Sequence, residues 1–132
     1  METKQVLYLS YADAFLIHFE LMQLLGETSY GVFDRSLVES ALARPRHAAM
    51  YEGADVIGQA ATLCFGLVKN HPWIIGNKRT ATALMNEFLF RNGLRITASI
   101  EDKIQMGLYV ESDLWGVADI EMWLRRNTIE RL

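Results

Sequence analysis

A chain of 132 residues fits one domain, long enough to bury roughly two-thirds of the surface its unfolded form exposes. Hydrophobic residues make up 51% of it, and the polar breaks between them are spread along the chain, which excludes an intrinsically disordered protein. The net charge of -3, from 13 basic and 16 acidic residues, argues against direct nucleic-acid binding, which is usually marked by a basic stripe.

Ser10 followed by Asp13 reads as a capping box. Behind it Ala12, Phe15, Leu16, Phe19 and Met22 recur at helical spacing. This predicts an amphipathic helix to about Leu25, stopped by Gly26, with His18 on its polar or boundary side. Asp34 caps a second helix whose apolar face is Leu37, Val38 and Leu42. It is expected to end before Arg44-Pro45-Arg46, because proline disfavours helical geometry in the residue before it. The segment from His47 to Ala54, which includes Gly53, reads as a loop or partly ordered flap.

From Asp55 a third helix carries Ile57, Ala60, Cys64, Leu67 and Val68 on one side. Gly58 and Gly66 weaken its propensity but allow close packing, and Pro72 forces an exit near Asn70. A compact loop crosses Gly76, and the next helix starts at or near Asn77. It buries Ala81, Leu84, Met85, Phe88 and Leu89 and ends at Asn92-Gly93, a pair suited to a left-handed cap. Arg95-Ile96-Thr97 reads as a short extended piece. Ser99 and Asp102 cap a helix through Tyr109 with Ile100, Ile104 and Leu108 inward. A last helix runs from about Val117 to Arg126 on Ile120 and Leu124. The sum is a single all-α domain over residues 1–132, of about six helices, with room for a small β-hairpin.

Cys64 is the only cysteine, so an internal disulfide is impossible, and its apolar helical setting predicts a buried reduced thiol. Residues 1–10 show neither a basic leader nor an apolar signal core, and no stretch approaches a membrane-spanning length. A soluble, cytoplasmic protein without membrane contact is expected.

The chemistry concentrates between His71 and Ala81. Backbone N–H groups at a helix N-terminus are unpaired and point at any anion placed there, and Gly76 lets the chain approach closely. Asn77 either caps the helix or binds a phosphate oxygen. Lys78 and Arg79 can neutralise different oxygens, and Thr80 adds a hydroxyl. Basic residues in a first turn oppose the helix dipole, a cost offset if the helix holds phosphate. The alternative is that Lys78 and Arg79 are ordinary solvated charges. The spacing is not that of a Walker motif. His71, just past the preceding helix, could take a proton from a hydroxyl nucleophile near neutral pH, or could serve only as a local backbone cap.

Trp73 reads as the loop's anchor in the core. Trp115 and Trp123 fit tail packing or a partner surface, and His47 fits a surface position. The three histidines show no zinc-ligand spacing. Nothing in the spacing of Glu52, Asp55, Glu87 and Asp102 nominates a metal ligand.

These residues resemble the Fic/Doc superfamily, specifically its Doc ("death on curing") toxin branch. The likeness runs through Ser40-Ala41-Leu42-Ala43-Arg44-Pro45, Val68-Lys69-Asn70-His71-Pro72 and Gly76-Asn77-Lys78-Arg79-Thr80-Ala81 to Asn92-Gly93. It implies a compact α fold whose signature loop joins two central helices. His71 would deprotonate a target hydroxyl, Asn77 and Arg79 would bind phosphate, and Trp73 would take the place of an aromatic anchor. Lys78 stands where the adenylyl-transferring Fic branch has glycine. The resemblance thus implies a toxin–antitoxin component that transfers the γ-phosphate of ATP to a threonine or serine, on elongation factor Tu, and so inhibits translation. A Phd-like antitoxin is the implied partner, and ATP with Mg2+ the implied cofactors. Ile75 departs from the pattern, since similar proteins have an acid there that helps hold magnesium, and isoleucine cannot coordinate a hard cation. Two alternatives therefore stand beside the kinase: AMPylation by nucleotidyl transfer, and a catalytically reduced protein that binds antitoxin.

Overall fold

The computed structural model describes residues 5–132. Residues 1–4, part of the segment read for a leader, lie outside the described residues. In chain order the elements are α1 (Tyr11–Leu24), α2 (Arg35–Glu52), α3 (Val56–Asn70), α4 (Asn77–Arg91), β1 (Leu94–Ile96), α5 (Ile100–Glu111), α6 (Val117–Arg126) and β2 (Thr128–Glu130). This is the expected all-α architecture with one small β element. β1 and β2 pair antiparallel, with Leu94 opposite Glu130 and Ile96 opposite Thr128, so the sheet closes across α5 and α6. Among the described residues no helix is long and apolar enough to cross a membrane.

Side chains cap the helix starts where the sequence placed them. Ser10 and Asp13 form a reciprocal box at α1, while Asp34, Asp55 and Ser99 accept from first-turn N–H groups of α2, α3 and α5. Each such cap is worth about 1 kcal/mol. The central element is α3. Gly58 through Ala61, Leu63, Cys64 and Gly66 through Val68 are all buried, and α2, α4, α5 and α6 pack around it. A Cβ on Gly66 would lie 2.6 Å from Arg44 Cδ and 3.3 Å from Ala41 Cβ, so this glycine sets how closely α2 approaches. Burial pushes the Cys64 thiol up to about 12, which makes it an inert core residue.

Three expectations are corrected. First, α2 does not stop at Arg44. It continues through Pro45 to Glu52 and ends on Gly53, whose φ of 64° gives the left-handed cap. Val38, Ala41, Pro45 and Ala48 form one buried stripe, and packing this stripe outweighs the lost hydrogen bond at the proline. The supposed flap from His47 is therefore mostly helix. Second, α1 buries Ala14, His18 and Met22, while Phe15, Leu16 and Phe19 are exposed; His18 faces inward. Third, α5 buries Met106, Gly107 and Val110, leaving Ile100, Ile104 and Leu108 exposed. In both helices a second apolar stripe competes with the buried one, and periodicity alone does not say which faces the core.

Candidate anion-binding site

The site is the connection from α3 to α4. His71 closes α3 in the left-handed region, φ 48° and ψ 54°, a conformation uncommon for a residue with a Cβ. Its side chain is exposed. The following backbone is held by the α1–α2 connection. The Pro72 carbonyl accepts from Phe33 N at 2.9 Å and Asp34 N at 3.2 Å, and Ile74 N donates to Gly31 O at 2.9 Å. Trp73 bridges to Val32 in antiparallel fashion and is 2% exposed.

The amide of Asn77 closes the loop on itself. Its Oδ1 accepts from Trp73 N at 2.9 Å and its Nδ2 donates to Trp73 O at 3.0 Å. Both ends of the amide thus bond to the loop and neither caps the helix, while the second Nδ2 hydrogen remains as a donor. Gly76 precedes α4 with φ 75°, and a Cβ there would lie 2.5 Å from Met22 Cε. The positive φ favours glycine here, and a Cβ would also have to displace the end of the Met22 side chain.

Among the described residues, α4 alone starts with neither a side-chain cap nor a first-turn acid. Its first N–H groups therefore lack partners one turn behind them, and the first turn instead carries Lys78 and Arg79. Arg79 is exposed. Lys78 Nζ donates to Glu111 Oε2 at 2.8 Å, both side chains about one-third exposed. Glu111, the last residue of α5, is the acid paired with Lys78. The Lys78 hydrogen bond holds its carboxyl below the usual range against a burial penalty, with the fields of Lys78, His71 and Lys69 acting in the same direction. Lys69 is itself paired with Asp113.

Thr80 is not on this open face. It is fully buried, and its Oγ1 lies 2.8 Å from His18 Nδ1. The structure thus brings His71, Lys78, Arg79 and the α4 N-terminus to one edge, and turns Thr80 inward. Glu111 and His18 carried no motif. The Ala14–His18–Met22 spacing is helical but does not say that this face turns inward, and Glu111 depends on how α5 packs. Lys78 and Arg79 also line a groove of about 350 Å³ between α4 and α5, with Ala83, Asn86, Ile104 and Gly107 among its other walls.

The donor set does not fit a metal held by the protein. Ile75 offers no oxygen, Glu111 is engaged by Lys78, and among the described residues no cluster of three or more His, Cys, Asp or Glu is suited to a metal ion.

An α-helical domain whose central helices are joined by a histidine-led loop running into an uncapped, basic helix start defines the class. Residues 8–89 match the Fic/DOC family, more than half of the chain, and the chain belongs to that family. Toxin Doc of Mycolicibacterium smegmatis is 39% identical over 84 residues, 58% of this chain and 63% of that protein. The match thus spans less than two-thirds of the relative's length.

Proposed function

We propose that this chain is the toxin of a toxin–antitoxin pair and transfers the γ-phosphate of ATP to a protein threonine or serine. The observation that carries the reading is the uncapped start of α4, bearing Lys78 and Arg79 beside His71. The ATP phosphates would lie against the first N–H groups of α4 and the two cations, an arrangement that stabilises charge as it develops on the transferring group. The adjoining groove has room for the rest of the nucleotide. His71 would accept the hydroxyl proton as the target oxygen bonds to the γ-phosphorus and the bond to the ADP oxygen breaks. Asn77 would hold the loop's shape through Trp73, and its second amide N–H would be left to meet a phosphate oxygen. Magnesium arriving with ATP would depend on phosphate oxygens and water rather than on position 75.

Elongation factor Tu as target and a Phd-like antitoxin as partner rest on resemblance, and the name of the M. smegmatis relative supports the toxin class. Ile75 favours a second reading, a protein that retains antitoxin binding with little or no transfer.

The test incubates purified protein, elongation factor Tu and magnesium with γ-labelled or α-labelled ATP, using His71→Ala and Ile75→Asp as variants. The kinase reading expects γ label on the target, lost in His71→Ala and increased with stronger magnesium dependence in Ile75→Asp. Label retained in His71→Ala overturns the base role. Transfer of α label replaces the reading with AMPylation. No transfer by the wild type, rescued by Ile75→Asp, assigns the chain to the reduced class.

A further inference from the structure

We propose that His18 is a positioning residue for the loop, clasping it from α1 by stacking on Trp73 and bonding to Thr80. This deepens the phosphate-site reading above and rests on it for its functional consequence. Beside an edge-on contact with the Tyr30 ring, His18 meets two residues that flank the loop, Trp73 before Gly76 and Thr80 after it. The His18 and Trp73 rings are 4.1 Å apart at 13°, a close parallel stack, and His18 Nδ1 lies 2.8 Å from Thr80 Oγ1. One helical turn along α1, Met22 packs where a Gly76 side chain would stand. The inner face of α1 therefore grips the loop at three successive points.

A plain packing role does not account for the imidazole. His18 is 1% exposed, and among the described residues neither its Nε2 nor the Trp73 Nε1 has a hydrogen-bond partner. Burying an unpaired ring nitrogen is unfavourable, because it gives up its bond to water and gains nothing in return. A phenyl ring would fill the same space and stack on the indole without that cost. What the imidazole alone adds is the bond to Thr80, which fixes the first turn of α4 relative to Trp73. Within the loop the Asn77 amide makes the matching internal link to Trp73. With both links in place, Lys78, Arg79 and the open N–H groups are set against His71 before any ligand arrives, so less ordering remains to be done on binding.

The experiment compares wild type with His18→Phe, Thr80→Val and the double variant. It reads amide hydrogen exchange at Trp73 and Ile74, whose N–H groups are bonded in the native loop, and the ATP dissociation constant. Each single variant should speed exchange at these amides about tenfold, the scale of one lost hydrogen bond, and weaken ATP binding several-fold. The double variant should go no further, because both remove the same link. Leu124→Ala in α6 should lower the unfolding midpoint without changing exchange at the loop. Unchanged exchange in both single variants, or additive effects in the double, overturns the clasp. Faster exchange with ATP affinity unchanged overturns its service to the site. Exchange needs no ligand, so a wild type that binds no ATP sinks the phosphate reading while exchange still decides the clasp.

Discussion

At the scale of single residues, burial has made one histidine a liability in acid. Desolvation lowers the pKa of His18 from 6.5 to about 4. Between these values the unfolded chain binds a proton that the folded protein refuses, so stability falls as the pH drops through this window. The contribution is complete above about pH 6.5 and gone below about pH 4, and amounts to something on the order of 3 kcal/mol. Asp13, Asp34, Asp55 and Glu111 all have lowered carboxyl pKa values. Their stabilising effect persists above the ordinary carboxylate range and is lost only at lower pH. Denaturant titrations from pH 7 to 4 should therefore show a slope in wild type that flattens in His18→Phe. An equal slope in both proteins would mean that His18 stays accessible to protons in the folded state. No spacing rule announced this residue. Its apolar neighbours Phe15, Leu16 and Phe19 form the more obvious stripe, and burial of Ala14–His18–Met22 follows only from where Trp73 and Gly76 sit.

At the scale of elements, α2 separates what a local rule predicts from what packing permits. Proline penalises the residue before it and removes one donor, so Arg44-Pro45 reads as a stop. Yet Pro45 is buried in line with Val38, Ala41 and Ala48, and Arg44 covers Gly66 of α3. A helix interrupted here would leave that stripe without partners, and tertiary burial wins. The starts of α1, α2, α3 and α5 were legible because a cap is a contact between near neighbours. The inward faces of α1 and α5 were not, because facing is decided by other helices. Pro45→Ala restores an N–H for the Ala41 carbonyl, a gain of up to about 3 kcal/mol in helix terms. The lost ring packing and the greater freedom of the unfolded chain offset most of it. We expect a net stabilisation of roughly 1 kcal/mol, read as a higher urea midpoint at unchanged slope. A loss of more than about 2 kcal/mol would show that the proline ring is worth more to the α2–α3 contact than the missing hydrogen bond.

At the scale of the molecule, α4 joins two regions with different duties. Its first turn forms the candidate site, and its far end runs through Asn92 and Gly93 into the small sheet. The signature loop was legible because its residues are consecutive, whereas Glu111 reaches Lys78 only after α5 folds back along α4. The sheet was half legible for the same reason: Arg95-Ile96-Thr97 reads as extended, but its partner strand lies beyond two helices. The sheet end is secured by the β1–β2 pairing, by Arg131 N to Gly93 O at 2.8 Å, and by Arg131 Nε to Phe90 O at 3.0 Å. Fifteen residues of α4 separate the two ends by about 22 Å of helix. Removing residues 128–132 should therefore cost about 1–3 kcal/mol of stability, from a few net hydrogen bonds and the cover over Ile96. It should leave the ATP dissociation constant unchanged, because Asn77, His18 and the α1–α2 connection hold the loop locally. A weakened affinity in a truncated protein that is still fully folded would mean that the sheet sets the position of α4 along its whole length. The site would then depend on the far end of its own helix rather than on the local clasp.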